Sequence, residues 1–255
     1  MCDLVRKGGD AFGKALLDFY RTGEESISLV IRTEDGNEEE MPSSEYFNAF
    51  ENWSPMDRAL TQWIEGRALD VGTGAGRLPL YLQETGHDVV AIDLSDGAME
   101  VSRARGVRDV RRHDILAGPL DGEKFDSICL FGANLGIAGL NSNKRNFLTT
   151  IKSMLNPGGR IIGTQVNWER TSQKAHIDFQ RHLREQGIYP VQMVLRIRYS
   201  GIDEDFSWVL TNQDELRDLC EDVGLDVEII IESSGGTYGY VLKLPKSDDP
   251  PTESK

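Results

Sequence analysis

The sequence predicts an α/β domain, with a mostly parallel sheet covered by helices on both faces. Three observations carry this reading. From residue 67 onward, apolar runs alternate with helical stretches of about 10–15 residues, the rhythm of βαβ units. Such runs suit strands of a parallel sheet covered on both faces. A glycine-rich turn, "VGTGAG" (71–76), joins the first run to its helix. At 255 residues the chain is long enough for one large domain with a substantial core.

The elements follow in order. "DAFGKALLDFY" (10–20) has helical apolar spacing. "SISLVIRTEDGNEEEM" (26–41) reads as a strand, an Asp35-Gly36 turn and a polar return strand. "NWSPMDRALTQWIEG" (52–66) is marked as a helix by Ser54 at the N-cap, Pro55 at the first position and Gly66 after the end. "RALDV" (67–71) is the first core strand, and "RLPLYLQETG" its helix, with Pro79 tolerable in the first turn. "DVVAID" (88–93) is the second strand, and Ser95 caps "DGAMEVSRARG". "VRDVRRHD" (107–114) and "FDSICLFG" (125–132) are the third and fourth strands. The helix "KRNFLTTIKSML" follows, then strand five, "PGGRIIGTQV", after a Pro-Gly-Gly turn.

Beyond these come a helix at 173–187, the strands "VQMVLRIRYS" and "FSWVLT", and the helix "DELRDLCEDVG". "DVEIIIES" and "YGYVLKL" are joined by so short a link, "SGGT", that they must be antiparallel. The expected organisation is a front cap section over 1–65 and a core over 66–245. A lid segment, 167–205, is inserted in the core, and a polar, proline-bearing disordered tail covers 246–255.

Composition excludes several function classes. Twenty-eight basic against forty-two acidic residues give a net charge of −14, which repels a phosphate backbone and disfavours nucleic acid as partner. The one basic cluster, "VSRARGVRDVRRH" (101–113), reads as the solvated face of a helix and the strand after it. No run approaches a membrane span, and the first residues lack the features of a signal peptide, so a cytoplasmic location is expected. Cys2, Cys129 and Cys220 form no CxxC, and the four histidines form no zinc pattern, so no metal is expected.

The glycine turn is the informative feature. It stands at the carboxyl edge of a parallel sheet, where open α/β folds bind ligands. Bare backbone there lets a ligand lie against the main chain, and the helix start adds N–H donors. Dinucleotide sites use G-x-G-x-x-G; here the spacing is G-x-G-x-G, with Arg77 where a third dinucleotide glycine would stand, which speaks against NAD. Asp93 ends the second strand, nineteen residues after Gly74, where a carboxylate can accept both hydroxyls of a ribose. Asp70 opens the loop, where it suits a ligand's ammonium group or the loop's own N–H groups, and would not help a pyrophosphate.

"LDVGTGAGRLPLYLQETGHDVVAIDLSDGAMEVSRARGV", with its Asp70-x-Gly72-x-Gly74-x-Gly76 pattern, resembles the class I S-adenosylmethionine-dependent methyltransferases. The likeness continues through "HDIL", "FDSICLFGANLG" and "LNPGGRIIGTQV", over about residues 65–166. It extends more loosely to "SEYF" and to 173–210, which are similar to a bacterial subgroup with poorly defined substrates. It implies a Rossmann-like, seven-stranded, mostly parallel sheet whose last strand is antiparallel, and S-adenosyl-L-methionine as cofactor. By that resemblance Gly72, Gly74 and Gly76 meet the methionine part and Asp93 the ribose, and Leu94 is a further cofactor-binding residue. Asp114 and Ile115 flank the adenine, Phe131 and Gly132 line the wall near the sulfonium, and Tyr46 closes over the cofactor. Asn134 stands where some relatives carry N/D-P-P-Y; without the Pro-Pro-aromatic part, N-methylation of nucleic acid is disfavoured. Asn134, Trp168 and His176 are candidates to meet a small-molecule acceptor under a lid made of 173–200 and the front section; the alternatives are that Asn134 binds the loop and that Trp168 and His176 are structural or surface residues. A non-catalytic adenosyl-ligand-binding or regulatory protein and an NAD-type oxidoreductase are the alternative readings.

Overall fold

The structure is a computed structural model that describes residues 7–33 and 38–246. The expected Asp35-Gly36 turn, Cys2 and the tail from residue 247 lie outside the described residues. In chain order the regular elements begin with β1 (Lys7–Gly8), α1 (Ala11–Thr22), β2 (Ser28–Arg32), β3 (Glu38–Pro42) and α2 (Pro55–Thr61). The core follows with β4 (Arg67–Val71), α3 (Arg77–Glu84), β5 (Asp88–Asp93), α4 (Asp96–Ala104), β6 (Val110–Arg112), β7 (Phe125–Leu130), α5 (Lys144–Ser153) and β8 (Leu155–Val166). The last part is α6 (Lys174–Glu185), β9 (Gln192–Tyr199), β10 (Ile202–Val209), α7 (Gln213–Val223), β11 (Asp226–Glu232) and β12 (Thr237–Lys243).

Seven strands form the main sheet in the order β11-β12-β8-β7-β4-β5-β6. The pairs among β8, β7, β4, β5 and β6 are parallel, whereas β12 is antiparallel to both β8 and β11. This is the Rossmann-like sheet with an antiparallel close that the sequence implied. One face is filled by Phe125, Ile128, Leu148, Ile151 and Leu216, beneath α5 and α7. The other is filled by Trp53, Leu60, Leu82, Cys129 and Ile162, beneath α2 and α3. Local signals set several boundaries. Ser54 Oγ accepts from Asp57 N at 2.9 Å and starts α2. That helix stops at Thr61, short of Gly66, because the chain tightens into three-residue turns (Trp63 N to Leu60 O, Ile64 N to Thr61 O) that bury Ile64. Strand β8 begins before the Pro-Gly-Gly stretch rather than after it, absorbing those residues in a register shift against β7.

The second sheet is antiparallel throughout, in the order β1-β10-β9-β2-β3. It joins strands from the front of the chain to strands from residues 192–209, so the two stretches expected to cover the core are one sheet. Helix α1 runs beneath it and crosses α4 at a glycine pair: a Cβ on Gly97 would lie 2.5 Å from the Gly13 backbone. Asp10 fastens the crossing. Its carboxylate accepts from Gly13 N in α1 (3.0 Å), and from Ser95 Oγ (2.7 Å) and Gly97 N (2.8 Å) at the start of α4. Glu204 of β10, buried, accepts from Phe12 N at 3.2 Å.

Candidate active site

The loop between β4 and α3 is held open by its glycines. Gly72, Gly74 and Gly76 have φ of +76°, +55° and +79°, a left-handed series that a side chain would strain. Space adds a second demand at two of them. A Cβ on Gly72 would fall 2.6 Å from Asn134 Nδ2, and one on Gly76 would fall 2.7 Å from Val107 and 2.9 Å from Ser102 Oγ. At those two positions the close approach is made by the protein itself. At Gly74 the neighbours are the rings of Tyr46 and Phe12, at ordinary contact distance. These two rings pack edge to face, with centroids 5.0 Å apart, so Tyr46 lies over the loop together with a residue the sequence reading did not single out.

Asp93, at the end of β5, turns its carboxylate toward the loop. It accepts from Gly74 N (2.9 Å), Leu94 N (2.7 Å) and Ser95 N (2.9 Å). Asp70 is buried at the end of β4. Burial pushes its pKa up to about 7, with the negative charge of Asp93 adding to the rise and Thr73 and the Arg77 guanidinium opposing it. Arg77 pairs with Asp57 at 3.1 Å and stacks over Trp53.

Across from this loop, β7 leads into Phe131 and Gly132. The Phe131 ring is buried in the cluster with Trp53, Leu60 and Leu78. Gly132 is exposed, and its N–H donates to Thr164 Oγ1 of β8 at 3.0 Å. Two consecutive left-handed residues, Gly132 and Ala133, then turn the chain so that Asn134 Nδ2 donates to Val71 O at 2.6 Å and Gly72 O at 3.2 Å. Asn134 is thus bound to the glycine loop. At the end of β6, Asp114 Oδ1 accepts from Leu116 N at 3.0 Å, and Ile115 is buried in the main core cluster.

Trp168 and His176 stand together farther along the sheet edge, where β8 ends. They line a cavity of about 350 Å³ between that exit, α6 and the start of β9. Trp168 is buried, flanked by the Arg184 guanidinium 5.2 Å from its ring and by Tyr189 edge-on at 6.3 Å. His176 Nδ1 lies 3.3 Å from Thr171 Oγ1. Among the described residues no helix is long and apolar enough to cross a membrane, and no cluster of side chains suits a metal ion.

Comparisons with known proteins bear on this geometry. A family model described as a methyltransferase domain matches residues 69–163, which spans β4 to β8. The chain is 27% identical over 188 residues to an uncharacterized methyltransferase of Staphylococcus carnosus, covering 74% of this chain and 84% of that one. It is 31% identical over 109 residues to a demethylmenaquinone methyltransferase of Clavibacter sepedonicus, covering 41% of this chain and 43% of the relative. The crystal structure of a methyltransferase from Bacteroides fragilis in complex with S-adenosyl-L-homocysteine is similar over 92% of this chain and 95% of its own, with a TM-score of 0.80 and 26% identity. Residues 69–163 form a methyltransferase domain, and the chain is similar over nearly its whole length to an S-adenosylmethionine-dependent methyltransferase. It is an enzyme of that kind, and S-adenosylmethionine is its methyl donor.

Proposed function

We propose that the protein methylates a small-molecule acceptor, with the donor held on the β4–α3 loop. The observation that carries the reading is the left-handed glycine loop, with Asp70 at its base and the Asp93 carboxylate turned toward it. In this assignment Gly72, Gly74 and Gly76 shape the bed for the methionine part, and Asp70 meets its ammonium. Asp93 and Leu94 hold the ribose, Asp114 and Ile115 flank the adenine, and the backbone at Phe131 and Gly132 borders the sulfonium. Phe12 and Tyr46 close over the loop. The sulfonium supplies an activated methyl group, so the chain's own work is orientation to near-attack distance, about 3–3.5 Å, and exclusion of water. We further propose that 1–65 and 167–205 act as a single cap on the core, because their strands share one sheet.

A small acceptor is favoured over a nucleic acid by charge. The net charge is −14, and four of the five arginines in the basic cluster bond to acceptors of this chain. Arg103 donates to Val110 O and Arg105 to Ala75 O, while Arg111 pairs with Asp109 and Glu123, and Arg112 with Asp96. A tRNA 5-carboxymethoxyuridine methyltransferase of Escherichia coli shares the core at 32% identity over 42% of this chain, so core likeness alone does not select the acceptor. Calorimetry should give binding of S-adenosylhomocysteine that Asp93→Ala weakens strongly; unchanged affinity removes the ribose assignment. Turnover should then be found in a screen of amines, phenols and carboxylates and not with bulk tRNA; the reverse outcome sinks the small-molecule reading.

A further inference from the structure

The cavity at the end of β8 has a definite chemical character. Part of its lining is apolar: Trp168, Val191, Met193 and Leu210 come from the β8 exit, the start of β9 and the residue after β10. Trp168, Val191 and the end of β10 are buried, and the Trp168 ring is fixed between Arg184 and Tyr189. One face of α6 supplies polar groups: His176 and Gln180 lie four residues apart and both line the space. The Gln180 Nε2 donates to Trp168 O at 3.4 Å, which leaves its amide oxygen as an acceptor. The Arg170 on the lining pairs with Glu232 at 2.6 Å, and the other fully charged side chain there is Glu39. A phosphate or carboxylate entering this space would lose water without gaining an uncommitted cation.

We propose that this cavity is a binding chamber for a neutral, planar aromatic molecule bearing a hydroxyl. The ring lies against Trp168, and the hydroxyl meets His176 and Gln180. The volume of about 350 Å³ falls at the small end of ligand pockets and suits one or two fused rings. The chamber opens where β8 leaves the sheet, and Thr164, four residues before Trp168, already bonds Gly132 at the neighbouring strand's end. Its role as acceptor site rests on the reading given under Proposed function; its ligand chemistry does not.

The full-length protein is titrated with 2-naphthol and with 2-naphthyl phosphate, with and without S-adenosylhomocysteine, by calorimetry and by tryptophan fluorescence. 2-Naphthol should bind and the phosphate should bind at least about tenfold more weakly, a difference of about 1.4 kcal/mol. Met193→Trp, which fills the chamber, should weaken 2-naphthol about tenfold while changing S-adenosylhomocysteine affinity less than twofold. Trp168→Phe should remove the fluorescence change and keep the calorimetric signal. Gln180→Leu, which removes an acceptor without adding bulk, should weaken binding severalfold, and it serves as the test if Met193→Trp does not fold. Equal or tighter binding of the phosphate, no binding of 2-naphthol, or indifference to the cavity variants that fold overturns the proposal. Failure of S-adenosylhomocysteine to bind, with naphthol binding intact, would instead count against the donor-site assignment alone.

Discussion

Asn134 shows how one side chain can set a binding loop without standing in it. Its amide reaches the carbonyls of Val71 and Gly72, linking the ends of β7 and β4. Asn134→Asp replaces the donor with an acceptor facing two carbonyls. It should weaken S-adenosylhomocysteine about tenfold or more, and Asn134→Ala should do less; a uniform loss of melting temperature with unchanged affinity would mark the residue as merely structural. Asp70 gives a pH-dependent prediction. With its pKa raised to about 7, the protonated fraction grows as pH falls through 7, and only the ionised form attracts an ammonium. Affinity for S-adenosylhomocysteine should therefore fall from pH 8 to pH 6, and Asp70→Asn should bind weakly with that slope removed. The sequence made Gly72, Gly74, Gly76 and Asp93 legible because strand, loop and acid are fixed by short spacing. It did not make Phe12 or Asp10 legible, since each acts on residues more than sixty positions away.

Among the elements, α1 depends on one carboxylate more than its length suggests. Asp10 satisfies N–H groups at the starts of both α1 and α4, where a crossing without Cβ atoms leaves little room for water. Asp10→Ala should cost about 1–3 kcal/mol, read from the urea midpoint, and Asp10→Asn should cost less. A surface-like cost of a few tenths would mean that the crossing is hydrated. The β9–β10 hairpin was partly readable. Ser200 and Gly201 both have positive φ, as a two-residue hairpin turn requires. The strand reading nevertheless stopped at Ser200 and resumed at Phe206, because "GIDED" is polar. In the structure Asp203 faces Arg198 and Asp205 faces Arg196 on the wet side of the pair, while Glu204 between them turns inward to Phe12 N. Pairing of β2 with β9 had no local signature at all, because register between distant segments is decided by packing.

At the scale of the whole molecule, Lys144 ties α5 to the segments flanking β9 and β10 and to α7. It is 1% exposed, and its Nζ donates to Tyr189 Oη at 3.0 Å and Leu210 O at 2.8 Å, with Glu215 at 3.7 Å. Those partners come from the approach to β9, the exit of β10 and α7. Burial lowers its pKa to about 8, only partly offset by Glu215, against about 10.4 for a free lysine. The folded state therefore releases its proton at lower pH than the unfolded state does. Between pH 8 and 10 the unfolded chain binds more protons at this group, so its contribution to stability rises with pH. Lys144→Met should remove that rise: wild type minus variant, measured by denaturant unfolding, should grow more positive from pH 8 to 10. A difference independent of pH would show that the ammonium is no harder to keep charged when folded.

The second sheet also orders events during synthesis. The front hairpin, β2 with β3, leaves the ribosome early and presents a free strand edge, while its partner β9 is not made until residues 192–199. Through the translation of the entire core that edge is open to foreign strands. The charged run Glu38-Glu39-Glu40 on β3 guards the opposite border, and the β2 border waits on the ribosome for its own chain to arrive.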